Sequence, residues 1–150
     1  MSQPLHSLPM VVPFQDIDAA GIVFFARVFD YFHNAFFAHL GECGLDMQAV
    51  IGAGEWAAPL AHAEADYKSP LRFGDKVRVE VVRAELGETS FALHYRIVSG
   101  TEPLRLHAVG KTVHVVIDRQ SFRPRPIPEE LRRAYVTPPT APFATAESAL

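Results

Sequence analysis

The chain has 150 residues, enough for one domain with a real core, and its 49% hydrophobic and 21% charged residues are an ordinary soluble balance. A formal net charge of −3 argues against a basic nucleic-acid-binding face. No run of about 18 apolar residues offers a membrane span, and Met1 to His6 lacks the basic-then-apolar pattern of a signal peptide.

In chain order, residues 1–8 read as a flexible lead-in to a single domain over 9–136. Pro9 to Gln15 predicts a short first strand, with Pro13 marking an edge or a bulge. A loop of two acids and a glycine follows, Asp16-Ile17-Asp18-Ala19-Ala20-Gly21. A helix is then predicted from about Phe24 to Cys43, because Phe25, Val28, Phe29, Phe32, Ala35, Phe36 and Leu40 recur at steps of three and four with no charge among them. Gly44 sits where a left-handed cap is wanted, and Asp46 to Ile51 suits a further helical turn.

From Trp56 the period changes. Trp56 to Ser69 reads as one long strand, with Ala61, Ala63 and Ala65 alternating against His62, Glu64 and Asp66. After the turn Pro70 to Asp75, Lys76 to Ala84 alternates, with Val77, Val79 and Val81 inward and Arg78 and Glu80 outward. Phe91, Leu93, Tyr95 and Ile97 form the inner face of the next strand. Leu104 to Ile117 is a last strand, in which Gly110 signals a bulge or a close approach. Short loops between these strands imply antiparallel pairing. Glu129 to Ala134 reads as a short surface helix, and 137–150 as a disordered tail rich in Pro and Thr. The expected class is α+β: one long apolar helix wrapped by a curved antiparallel sheet of about five strands.

The loop and helix start carry the chemistry. Unpaired backbone N–H groups and the positive dipole end of a helix lie beside a carboxylate, a place that can supply an acid group and hold an oxyanion. By spacing alone, Asp18 reads first as a cap or Asx-turn residue before a helix. Asp16 reads as structural, and Gly21 as supplying a backbone shape closed to other residues. The histidines show no metal-ligand spacing, so no metal is expected. The single cysteine, Cys43, excludes an intrachain disulfide and fits a reducing compartment, so the expected location is the cytoplasm.

This layout, with Asp16-x-Asp18-x-x-Gly21-x-Val23-x-Phe25, resembles the hot-dog-fold acyl-CoA thioesterases of the 4-hydroxybenzoyl-CoA thioesterase family. Ser69-Pro70-Leu71-Arg72-Phe73-Gly74-Asp75 is similar to that family's turn between its second and third strands. The resemblance implies a homodimer with one continuous sheet and active sites at its interface, with dimers pairing into a homotetramer. It implies that Asp18 attacks the thioester carbonyl or activates a water, while the backbone N–H of Phe25 holds the oxyanion. Coenzyme A is then part of the substrate, and no cofactor is expected. Fifteen residues after Asp18 the family usually carries an acid, whereas this chain has His33, like the branch acting on 1,4-dihydroxy-2-naphthoyl-CoA; His33 would orient the substrate. Ala58-Pro59-Leu60-Ala61-His62-Ala63 also looks like that branch, which implies an aromatic or bulky acyl group. Gly21, Val23, His62 and Ser90 are further candidates for substrate contact. The family's basic cluster is absent at Gly87-Glu88-Thr89, leaving Lys68 and Arg72 as candidates for the CoA phosphates, with Arg83 and Arg119 behind them.

Two rivals share the scaffold. A 3-hydroxyacyl thioester dehydratase or hydratase needs an acid–base pair that Asp18 and His33 do not reproduce. A non-catalytic acyl-thioester binder has no need of an acid in this loop.

Overall fold

The computed structural model describes residues 3–136, so the tail expected over 137–150 lies outside them. Strand β1 (His6–Val11) is followed by a short 3-10 turn at Phe14–Asp16, the acid loop, and helix α1 (Arg27–Glu42). Helix α2 (Met47–Ala53) and the short β2 (Trp56–Ala57) lead into β3 (Leu60–Tyr67), β4 (Lys76–Leu86), β5 (Ser90–Ser99) and β6 (Leu106–Val115). Strand β7 (Ile117–Asp118) and helix α3 (Glu129–Val136) complete the described chain. Five strands form an antiparallel sheet in the order β1-β4-β5-β6-β3, and β2 pairs with β7 in a separate ribbon. The α+β architecture expected from the sequence is the one observed.

Helix α1 lies on the inner face of the sheet. Val28, Phe32, Ala35 and Leu40 are buried against Val77, Val79 and Val81 of β4 and Phe91, Leu93, Tyr95 and Ile97 of β5. The ring of Phe32 stacks on Tyr95 with centroids 4.6 Å apart and planes at 12°. A second close neighbour is the backbone of Gly110, where an added Cβ would lie 2.2 Å from the ring. Gly110 therefore marks a close approach, and β5 and β6 pair in continuous register through it. At its C-terminal end α1 stops as anticipated: Gly44 takes φ +83° and the Leu45 N–H reaches back to the Leu40 carbonyl at 3.0 Å, a Schellman closure.

Several expectations are corrected. The first strand starts at His6, inside the expected lead-in, and ends at Val11; Phe14 to Asp16 is a 3-10 turn, since Pro13 cannot donate to a ladder. The helix begins at Arg27, so Phe24 and Phe25 belong to the turn before it and Phe25 is 61% exposed. Trp56 to Ser69 splits into β2 and β3 around Pro59, which also lacks an N–H. Strand β3 is solvent-exposed on both faces along almost its whole length, as the free edge of the sheet. Glu80 does sit on the outer face but is only 1% exposed: Arg96 bonds its carboxylate, Arg78 lies 4.0 Å away, and Ser7 is opposite on β1. Charged residues of an outer face can be buried when their partners cover them.

Helix α3 is docked by a pair of buried histidines. His6 on β1 faces His39 on α1 at 5.8 Å between ring centroids, and His39 Nε2 donates to the Ala134 carbonyl at 3.1 Å. Tyr135 closes the cluster, its ring centroid 5.2 Å from that of His39. Burial pulls both imidazoles down from 6.5 to about 4, with His6 adding to the effect at His39.

Two outcomes follow from this packing. Gly110→Ala is expected to lower stability by about 1–3 kcal/mol in urea unfolding, because neither Phe32 nor the strand has room to move. The unfolded chain binds protons on His6 and His39 more readily than the folded one, so stability is complete above pH 6.5 and falls as pH drops towards 4. Melting temperature should decline over that window, and more shallowly in His39→Phe, which keeps a ring but cannot take up a proton.

Candidate active site

The acid loop is held from both ends. Ile17 bridges to Val23, the Asp18 N–H donates to the Ile22 carbonyl at 2.9 Å, and the Gly21 N–H donates to the Asp18 carbonyl at 3.0 Å. Gly21 adopts φ +81°, which a side chain would disfavour. Asp16 is the anchor: its Oδ2 accepts the Tyr31 hydroxyl of α1 at 2.6 Å, and its carbonyl accepts the Phe24 N–H at 2.9 Å. Burial first, and the Asp16 carboxylate second, push the Tyr31 phenol far up, so it stays a donor. The loop is thereby tied to the second turn of α1.

Asp18 opens onto a cavity of about 410 Å³ that it lines with Phe25, Tyr67, Lys68, Ser69 and His107. Its Oδ1 accepts the Ala20 N–H at 2.8 Å, an Asx turn, while Oδ2 takes no hydrogen bond among the described residues. The Phe25 N–H likewise donates to nothing among them, because α1 starts two residues later. Tyr67 on β3 donates its hydroxyl to the Phe25 carbonyl at 2.7 Å, fixing the peptide that precedes the helix. His107 Nδ1 lies 3.1 Å from the Pro70 carbonyl, which can only accept, so Nδ1 carries a proton and donates it there. A carboxylate oxygen and an unbonded N–H at a helix start thus face one space, the minimum needed to attack a carbonyl and hold its oxygen.

A second cavity, of about 510 Å³, lies between α1, α2, β3, β6 and the β2–β7 ribbon. Phe36, Phe37 and Trp56 make its walls apolar, and His33, tilted on Phe37 at 4.4 Å between centroids, stands on its rim. Phe122 also lines it, at φ +61° and 71% exposed. Tyr95, Thr112 and His114 contribute from the sheet side.

Among the residues singled out by sequence, Asp18, Phe25, Val23 and Lys68 share the first cavity, and Gly21 shapes the loop beside it. His33 belongs to the second cavity, so within one chain it does not join Asp18. His62 is exposed on β3 with Nε2 3.2 Å from Glu64. Ser90 starts β5 and Arg72 sits in the β3–β4 turn, where its N–H is bonded to Asp75 at 2.8 Å; neither lines these cavities. Arg119 lines the second cavity. Tyr67, Ser69 and His107 were not identified by sequence. Their only signal is the place of Ser69 beside the Pro70–Asp75 turn, and pairing of β3 with β6 brings His107 there. Among the described residues no group of three His, Cys, Asp or Glu side chains could hold a metal, and no helix is long and apolar enough to cross a membrane.

A family model described as the Thioesterase-like superfamily matches residues 12–135. A 1,4-dihydroxy-2-naphthoyl-CoA hydrolase of Synechococcus elongatus is 32% identical over 128 residues, covering 85% of this chain and 92% of that protein. The solved structure of a 1,4-dihydroxy-2-naphthoyl-CoA thioesterase from Synechocystis superposes with a TM-score of 0.83 at 28% identity, over 88% of this chain and 96% of that one. A gentisyl-coenzyme A thioesterase structure matches with a TM-score of 0.75 at 28% identity, over 84% and 98% of the two chains.

Proposed function

The chain belongs to the Thioesterase-like superfamily and is a thioester hydrolase, and we propose that it hydrolyses an aromatic acyl-CoA to the free acid and coenzyme A. The observation that carries the mechanism is the shared cavity of Asp18 and the unbonded Phe25 N–H. Asp18 acts as nucleophile or general base through Oδ2, and the Phe25 N–H holds the carbonyl oxygen as it becomes negative. The carbon–sulfur bond then breaks, and the thiolate leaves readily without a strong acid to protonate it. Lys68 lines the same cavity, which supports it as the residue that meets a CoA phosphate. The names of the relatives, with 1,4-dihydroxy-2-naphthoyl and gentisyl groups, support an aromatic acyl part, as do the aromatic walls of the larger cavity. Cys43, a free thiol at the surface, suits the cytoplasm in which we place the enzyme.

The working unit we propose is a pair of chains joined through β3. That strand is the exposed edge of the sheet, with Tyr67 and Asp18's cavity at one end and Leu60 and His33's cavity at the other. Two-fold antiparallel pairing brings the Tyr67 end of one copy to the Leu60 end of the next. The carboxylate of one chain then serves the aromatic cavity and His33 of its partner.

Thiol release from a panel of aromatic and aliphatic acyl-CoAs tests the chemistry: Asp18→Asn should lower turnover by roughly 100- to 10,000-fold, and unchanged turnover removes Asp18 from the mechanism. Sedimentation equilibrium tests the assembly, with two or four times the chain mass of 16.6 kDa expected. A monomer that turns over fully rules out the composite site.

A further inference from the structure

Three side chains on the sheet side of the second cavity form a hydrogen-bonded chain whose direction is set at one end. His114 Nδ1 lies 3.2 Å from the Ala58 carbonyl, which can only accept, so the neutral ring carries its proton there and leaves Nε2 as an acceptor. Thr112 Oγ1 is 3.1 Å from that Nε2, so the Thr112 hydroxyl gives its single proton to His114. Tyr95 Oη is 2.8 Å from Thr112 Oγ1, and with the threonine proton already committed, the Tyr95 hydroxyl donates to Thr112. All three residues are buried, 2% to 7% exposed, and all three line the cavity. Burial keeps His114 neutral and pushes the Tyr95 phenol up to about 12, so every member keeps the protonation this direction requires.

Every proton in the chain is used within the protein. What remains on Tyr95 Oη and Thr112 Oγ1 is lone pairs, on two residues that line the cavity together with Phe36, Trp56 and Leu131. Lone pairs in an apolar space favour a ligand that donates to them and disfavour one that only accepts. We propose that Tyr95 and Thr112, oriented by His114, are the specificity-determining residues of the acyl pocket: they accept a hydrogen bond from a ring hydroxyl of the acyl group and discriminate against hydrogen, ether or carbonyl at that position. This rests on the acyl-CoA hydrolase reading above and adds to it the atoms and the polarity by which the acyl group is read. His114 is a positioning residue here, since its ring fixes the proton of Thr112.

The experiment compares 2-naphthoyl-CoA with isomers bearing one hydroxyl, or one methoxyl, at successive ring positions. For wild type, kcat/KM for at least one hydroxy isomer should exceed the unsubstituted ester and the matching methoxy isomer about tenfold, the factor one net hydrogen bond supplies. In Tyr95→Phe, which keeps the ring stacked on Phe32, the hydroxy-to-unsubstituted ratio should fall to about one. In Thr112→Val the Tyr95 proton is released, so the hydroxy-to-methoxy ratio should fall as well. A purely structural role for the chain would lower all esters together and leave both ratios alone, and unchanged ratios in Tyr95→Phe overturn the proposal. If no acyl-CoA is turned over at all, the hydrolase reading fails separately. Calorimetric binding of the matching free naphthoic acids then decides: a hydroxyl preference lost in Tyr95→Phe supports the assignment, and equal binding of hydroxylated and plain acids sinks it.

Discussion

The contact on which the rest of this molecule depends is the outer edge of the Phe32 ring set against the bare backbone of Gly110. Because there is no side chain at that point of β6, α1 can settle close enough for the ring to lie flat on Tyr95. Packed interiors leave little slack, so this one contact sets the separation of helix and sheet along neighbouring turns. Phe36, one turn further on, then reaches the edge of the larger cavity, and Tyr31, one residue back, points its hydroxyl at Asp16. The spacing of core, loop and cavity wall is thus one problem solved once.

That hydroxyl gives the two acids of the loop different tasks. Asp16 is occupied by Tyr31 and approached by Arg27 at 4.0 Å, so it works as an anchor. Asp18 uses one oxygen to close its own turn and leaves the other towards the cavity. Two carboxylates two residues apart are separated by which of them has a buried partner.

The elements were legible from sequence wherever one period ran without interruption. The stripe from Val28 to Leu40, the alternation of Val77, Val79 and Val81, and the odd glycine at 110 all point to the contacts that are found. Boundaries were less legible, because Pro13 and Pro59 break ladders that composition alone would extend. The candidate site was legible as far as Asp18, Val23, Phe25 and Lys68, which line one cavity beside the folded loop. It was not legible at Tyr67, His107, Tyr95, Thr112 or His114, whose meaning comes from cross-strand neighbours and from a carbonyl on another segment. The burial of Glu80 on the outer face was hidden for the same reason: its cover includes Arg96, sixteen positions away and adjacent only once β4 and β5 have paired.

The two borders of the sheet are unlike each other. Strand β1 carries Pro9 in its middle, so its outward row of backbone donors is broken, while β3 carries no proline and keeps a regular register from His62 to Tyr67, with small alanines between. A sheet with one blocked border and one open one has a valence of one. Were two open borders to meet, no sheet edge would be left to recruit a third strand, and the backbone groups that could otherwise seed a growing fibril would be used up.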